Sequence, residues 1–417
     1  MKILRFFLGI LGMLVSCAIV DAQEPETAIQ VLLIEDAGYQ ADDVKMLRTV
    51  FKTMTGITVN TDAVRYEEYV EYLLASGTQY DVCALDHIWV ADLASRDLLM
   101  PLDDFITRPM RRDLSPGLKE AFMYQKKIWG MPFLLNVQFL FYNSRMLEDA
   151  GFLLPPTSLE MLAEYMRTMK EKGVVEYPWT DAWQSAESLV TEFVWLLGAF
   201  EGQLFDADGQ PAFDQDAGVQ ALEFMTMLLD EELAPPVILY QDELAAKDDF
   251  LAGRAAFTSN WLFLHGLLKT SPDPVIAGEG KINLLPASES ASATAKTASV
   301  ASVQGLAILS TADQKDAAWL WIQFFTSQLA QRAFLYEMPV WTSVQTSEDA
   351  QFLDPDMLVK RNQLLGAATR PNIVRYEQIS AILQTAIHRA LLGEIQPAEA
   401  LSQAKVDIES LLHNENE

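Results

Sequence analysis

Apolar residues recur along this chain with two alternating periods, and the switch between them marks out the elements. Residues 30–34 read as a short strand, Gln30 followed by the apolar run Val31 to Ile34. Residues 42–55 then take helical spacing, with Val44, Leu47, Val50, Phe51 and Met54 on one face and Gly56 as a stop signal. The pattern returns to strand at 57–60, helix at 66–75 and strand at 80–85. Strand, helix, strand at this pace predicts a doubly wound α/β unit with a mostly parallel sheet. Ligands bind just beyond the carboxyl ends of such strands. Glu35 and Asp86 fall there, although loop solvation is the plainer role for either alone.

Residues 129–143 open on a turn signal, Gly130 and Pro132, and continue as an aromatic and aliphatic ribbon that carries two amides, Asn136 and Gln138. Side chains two apart on a strand share a face. An amide buried without a partner costs roughly 1–3 kcal/mol, so this pair calls for an internal hydrogen-bonded partnership or a wet cavity. The sharper of the two readings is a strand crossing between lobes with its amides toward a ligand cleft. Helical spacing follows at 143–151, 158–172, 187–199 and 216–231, with a two-strand turn at 205–213 around Asp208 and Gly209. A strand-like run at 255–259 ends on Asn260 and Trp261. Further crossings are expected at 281–285 and 339–344, a small-residue loop at 288–302, a strand at 303–309, and helices at 315–336, 380–390 and 397–412.

A chain of 417 residues exceeds one ordinary core, so two domains are expected. A basic head at Lys2 and Arg5 precedes an uncharged run over 6–20, too short to span a bilayer comfortably, which reads as a signal peptide. Two processing sites compete: cleavage after Ala22, or a lipobox-like stretch ending at Cys17, whose thiol would be acylated. Either way Cys83 is left alone, a small buried hydrophobe with no disulfide partner. The formal charge of −28 argues against nucleic acid and anionic lipid headgroups as partners.

The order of Asp86-x-Ile88-Trp89, Leu102-Asp103-Asp104, Gly130-x-Pro132 and Leu140-x-Tyr142-Asn143 resembles that of the family 1 extracellular solute-binding proteins, the sugar receptors of ABC importers. Further matches are Asp208-Gly209 with Phe213, Gly253-Arg254-Ala255-Ala256, Asn260-Trp261, Gly305-Leu306-Ala307-Ile308, Ala317-Ala318-Trp319, and Arg370-Pro371 with Tyr376. The resemblance covers nearly all of the chain beyond the export segment. It implies two doubly wound α/β lobes joined by three hinge crossovers, a periplasmic binding protein fold of type II with its ligand cleft between lobes. On that reading residues 1–22 (or 1–16 for a lipoprotein) are removed. Residues 27–133 with 286–335 form lobe 1, and 136–284 with 336–415 form lobe 2, including the C-terminal helices. The hinge would lie at 131–136, 281–285 and 337–341. Two departures leave the particular sugar open: Asn136 stands where family members often carry an acid, and Gln304 where an aromatic often stands.

Enzyme motifs are absent from the sequence: there is no H-E-x-x-H, paired C-x-x-C, G-x-S-x-G or phosphate-loop motif. Asp206-x-Asp208 lacks the Gly and closing Glu of a calcium loop and reads as a turn. Sugars present apolar C–H faces and a rim of hydroxyls, so their sites pair flat rings with charged or amide groups. Trp89, Trp179, Trp183 and Trp261 fall in loops or at strand ends, whereas Trp195, Trp319 and Trp321 lie on helices. The candidate ligand-binding set is therefore Glu35, Asp86, Trp89, Asn136, Gln138, Trp179, Trp183, Trp261, Gln304 and Arg370, with packing as the alternative role for each Trp. The expectation is an extracytoplasmic receptor that captures a mono- to oligosaccharide by hinge closure, without chemistry, cofactor or metal. It is expected to be a monomer that delivers to ABC permease subunits. The alternatives are a secreted carbohydrate-active enzyme using Glu35 and Asp86, a receptor for a polyamine, metal or organophosphate, or a sensory partner.

Overall fold

The computed structural model describes residues 27–413, apart from 36, 271–275, 277 and 293–296. The expected export segment and Cys17 lie outside the described residues.

The first apolar run becomes β1 (Ala28–Ile34), flanked on its two sides by parallel β2 (Thr58–Val64) and β3 (Val82–Asp86). Helices Ala41–Thr55 and Tyr66–Ser76 make the crossovers. The first of these shows its sequence signals plainly. Asp42 and Asp43 sit in the positive first turn, Lys52 in the last, and Gly56 closes it with φ +76°. A small hairpin, β4 (Met123–Tyr124) with β5 (Lys127–Ile128), leads into the expected crossing ribbon.

That ribbon is two strands with Gln138 between them. β6 (Met131–Val137) belongs to the larger sheet, and β7 (Phe139–Asn143) is the centre of a smaller antiparallel sheet between β8 (Phe257–Asn260) and β9 (Gly280–Asn283). The chain therefore changes sheet within a single residue. β10 (Ser299–Ile308) pairs antiparallel with both β3 and β6, and β11 (Ala367–Thr369) lies parallel to its first three residues.

Two hydrophobic cores result. One surrounds the larger sheet, with Leu32, Leu47, Phe51, Trp321 and Phe325 among its members. The other surrounds helix Glu187–Ala199 and the C-terminal helices Tyr376–Leu391 and Pro397–His413, through Phe193, Leu197, Leu383, Ile387 and Leu401.

Several expectations change. Residues 281–283 form β9 inside the smaller sheet, so the second crossing falls to β10: Val300 packs in the second core, Ala301 and Val303 in the first. The stretch 339–344 stays against the first core, where Val340, Trp341 and Val344 are buried and Trp341 bridges Leu114. The return to the second core comes later, between Tyr376 and Ile379. Ser299 to Ser302, expected in a loop, are strand. All ten residues of β10 are buried, so small side chains there answer close packing on both faces rather than chain reversal. The helix expected over 315–336 ends at Phe325 and restarts at Gln328–Ala333, where the Ser327 hydroxyl accepts from the Ala330 amide at 3.1 Å. Helices Leu262–Thr270, Glu348–Leu353 and Met357–Leu365 were not anticipated.

Candidate functional site

Parallel pairing of β1 and β3 places Asp86 at the carboxyl end of β3, where the backbone turns into His87 and Ile88. Its carboxylate is surrounded by donors. The Tyr66 hydroxyl reaches Oδ2 at 2.9 Å, the Ser302 hydroxyl at 2.8 Å and the Arg370 guanidinium at 3.3 Å, while His87 Nδ1 stands 2.7 Å from Oδ1. Burial by itself would raise the carboxyl's pKa, but Arg370 and His87 outweigh it and hold Asp86 well below the ordinary range. Asp86 is thus a fixed anion.

Arg370 is 3% exposed and carries the connection onward. Its other terminal nitrogen donates to Glu187 at 2.6 Å, in the first turn of helix Glu187–Ala199. Glu187 also accepts the Tyr376 hydroxyl at 2.8 Å and the Ser380 hydroxyl. One guanidinium therefore ties the end of β3 in the first unit to a helix start in the second. Its Nε, also buried, has no hydrogen-bond partner among the described residues. Neither has Oε1 of Gln304, which stands opposite Asp86 in the β3–β10 ladder.

A second polar cluster lies under the crossing. Gln138, 1% exposed, donates from Nε2 to Glu192 Oε1 at 2.5 Å, and its own Oε1 is unpartnered among the described residues. Trp195 donates its indole N–H to Glu192 Oε2 at 2.7 Å. The Ser259 hydroxyl lies in contact with Glu192 Oε2 and 2.7 Å from Asp181 Oδ2. A hydroxyl has one proton to give, so the other contact needs a proton on a carboxyl. Burial and mutual repulsion push Asp181 well above the ordinary range, and burial raises Glu192 too. The pair therefore shares one proton and one negative charge.

Trp261 follows β8 directly. Its amide donates to Asn260 Oδ1 at 2.8 Å and its indole N–H to Glu243 Oε1 at 2.7 Å. Asn136 Oδ1 accepts from the Leu262 amide at 3.2 Å, which pins this turn to β6. Burial pushes the Glu243 carboxyl up to about 7, against the Trp261 hydrogen bond and with further repulsion from Glu192 and Glu67.

The structure thus joins Asp86 directly to Arg370, sets Gln304 beside them, and ties Asn136 to the Trp261 turn. Gln138 faces Glu192 instead. Trp89 is a packing residue: it stacks on Tyr69 at 5.5 Å and 8° and leans on Tyr66 within the first core. Trp179 and Trp183 are both fully buried in the second core, their indole nitrogens unpartnered among the described residues. Glu35 is exposed at the end of β1 and joins none of these bonds. Sequence reasoning missed Tyr66, Asp181, Glu187, Glu192, Glu243, Ser259 and Ser302. Glu192 was detectable, as a charge in the middle of an otherwise apolar helix.

His265, Asp354 and Asp356 bring ligand-type atoms within 4.8 Å of one another. Lys360 Nζ already lies 2.8 Å from Asp354 Oδ2, and His265 Nε2 lies 2.8 Å from Asp356 Oδ2. The cluster has its own cation.

Residues 33–332 match a family model described as bacterial extracellular solute-binding protein. A maltotriose-binding protein of Pyrococcus abyssi is 23% identical over 269 residues, 63% of this chain and 54% of its own. Among solved structures, maltose-bound T. maritima MalE3 superposes with a TM-score of 0.84 at 22% identity, covering 92% of this chain and 100% of that one. A solute-binding protein of Thermotoga lettingae bound with α-D-tagatose gives 0.84 at 24% identity, over 93% and 100%.

Proposed function

The chain belongs to the bacterial extracellular solute-binding protein family, and from that premise we propose that it captures a carbohydrate between its two α/β units for an ABC importer. The observation that carries this reading is the bridge from Asp86 through Arg370 to Glu187, which spans the two units and keeps a buried, unpartnered Nε. Gln304 Oε1 beside it is an unpartnered acceptor. Buried polar atoms without partners are costly, and a polyhydroxy ligand supplies donors and acceptors at one spacing. Trp261, 7% exposed at the second core and held at its indole edge by Glu243, is the ring this reading assigns to the apolar face of the sugar. The related proteins bound with maltose and tagatose support the same ligand class.

Closing the units over the ligand buries it, and the closed form is what a permease recognises. The crossings in this reading are Val137 to Phe139, Val300 to Ala301, and Tyr376 to Ile379, and the receptor works as a monomer. The family binds its solutes rather than transforming them and acts outside the cytoplasm. No helix among the described residues is long and apolar enough to cross a membrane. Residues 1–22 are the export segment in this account, or Cys17 its lipid anchor, and the mass of the mature N-terminus separates the two. Glycosidic chemistry by a pair of free carboxyls is disfavoured because Asp86 is locked in an ion pair with Arg370.

A thermal-shift screen of mono-, di- and oligosaccharides and polyols tests the reading. A ligand at a hundredfold excess over its Kd adds about 2.7 kcal/mol of stability, so at least one sugar raises the melting temperature clearly and is recovered unchanged. A flat screen, or hydrolysed sugar, contradicts it.

A further inference from the structure

The charges around the site do not balance, and the imbalance names a ligand class. Among the described residues Arg370 is the one arginine or lysine in the network, and it is shared by two carboxylates, Asp86 and Glu187. Glu243 has an indole N–H as its partner and no ion pair among the described residues. Its electrostatic neighbours are mostly anions. Glu192 and the exposed Glu67, in the first turn of helix Tyr66–Ser76, raise its carboxyl, and Arg370 opposes them. Glu243 and Glu67 thus repel each other electrostatically, and the Trp261 indole N–H is hydrogen-bonded to Glu243.

Resting on the carbohydrate reading, we propose that the ligand is an aminated carbohydrate, an amino sugar or an oligosaccharide containing one, with its ammonium read by Glu243 and Trp261. Hydroxyls satisfy hydrogen bonds but cancel no charge, whereas an ammonium does both, and an indole face attracts a cation. The unpartnered Arg370 Nε and Gln304 Oε1 require something the ammonium cannot give, an oxygen acceptor and a hydroxyl donor respectively. A sugar bearing both amine and hydroxyls meets all of these demands. A neutral sugar leaves the carboxylates unbalanced, and an acidic one adds repulsion.

Burial pushes Glu243 up to about 7, so near neutral pH the ligand-free site holds part of a proton there. An arriving ammonium displaces it. Binding of the amine therefore releases protons, and its affinity falls as pH drops below about 7 and Glu243 becomes protonated. The charged groups that act on it are Glu192, Glu67 and Arg370, and Arg370 is already engaged by Asp86 and Glu187.

The test is calorimetric titration of the full chain with glucosamine oligomers, their N-acetylated counterparts and neutral malto-oligosaccharides, in two buffers of different ionisation enthalpy. The amino form is expected to bind at least about tenfold tighter than its N-acetyl counterpart, the worth of one charge-assisted hydrogen bond. Its binding heat is expected to depend on the buffer. Glu243→Gln, which keeps an acceptor for the Trp261 indole, is expected to abolish both the preference and the proton release. Neutral sugars binding as tightly as amino sugars, or a preference that survives Glu243→Gln, overturns this inference and leaves the carbohydrate reading standing. Tight binding of a linear polyamine where no sugar binds overturns both.

Discussion

Asp181 and Glu192 show how a single proton is fixed by stereochemistry. Four donors, from Gln138, Trp195, Ser259 and the Ala182 amide, cannot satisfy every contact that two carboxylates make here unless one carboxyl is neutral. The folded state therefore holds a proton that the unfolded chain releases near the ordinary carboxyl pKa of about 4. Burial of Glu243 and of Glu337, each pushed up to about 7, acts in the same direction. Between these limits the native state binds more protons, so stability falls as pH rises from about 4 through about 7. The ligand-free protein is expected to melt at a higher temperature at pH ~5 than at pH ~8. Asp181→Asn is expected to reduce that slope. Its amide can donate to the Ser259 hydroxyl, which then donates to Glu192, so every contact is kept without the extra proton. A slope unchanged in this variant would mean that the pair is not the site of the retained proton.

Among the elements, β10 does the most to join the two units. It contributes to both cores, pairs with three strands and carries Ser302 and Gln304 to the site. Its residues are small because its neighbours are close: a methyl group at Gly305 would come within 2.6 Å of the Phe122 ring. Gly305→Ala is expected to cost about 1–3 kcal/mol by overpacking, read as a lower denaturant midpoint with an unchanged slope. No loss of stability would show that the strand is loosely held. The larger sheet's βαβ start and the crossing ribbon were legible in the sequence because local period, caps and turns all agree there. Glu187–Ala199 matched to the residue for the same reason. The start of β10 was not legible, because Ser, Ala and Val in a row fit a loop as well as a strand packed on both faces. Nor were the partners of Arg370. Glu187 and Asp86 are 183 and 284 residues away from it, and only the fold brings them together. The same limit explains Trp89, Trp179 and Trp183. A loop or strand-end position does not distinguish a ligand platform from a core anchor.

At the scale of the whole molecule, a chain of net charge −28 keeps its Asp86–Arg370–Glu187 bridge buried where the two units meet. In the proposed reading this bridge, together with Trp261 and Glu243, is where closure and capture become one event. The account predicts that one sugar binds per chain there and that the flat ring of Trp261, 7% exposed in this structure, supplies much of the affinity. Buried aromatic contacts at interfaces lose about 2 kcal/mol or more on truncation, equivalent to roughly 30-fold in affinity. The most direct measurement is calorimetric titration of the best sugar from the screen into wild type and Trp261→Ala, with unfolding of both proteins measured alongside. The expected result is one site per chain in wild type and an affinity lower by about 30-fold or more in a variant that still folds. Unchanged affinity, with Trp261→Ala costing the about 3–5 kcal/mol of folding stability typical of a core aromatic, would contradict it.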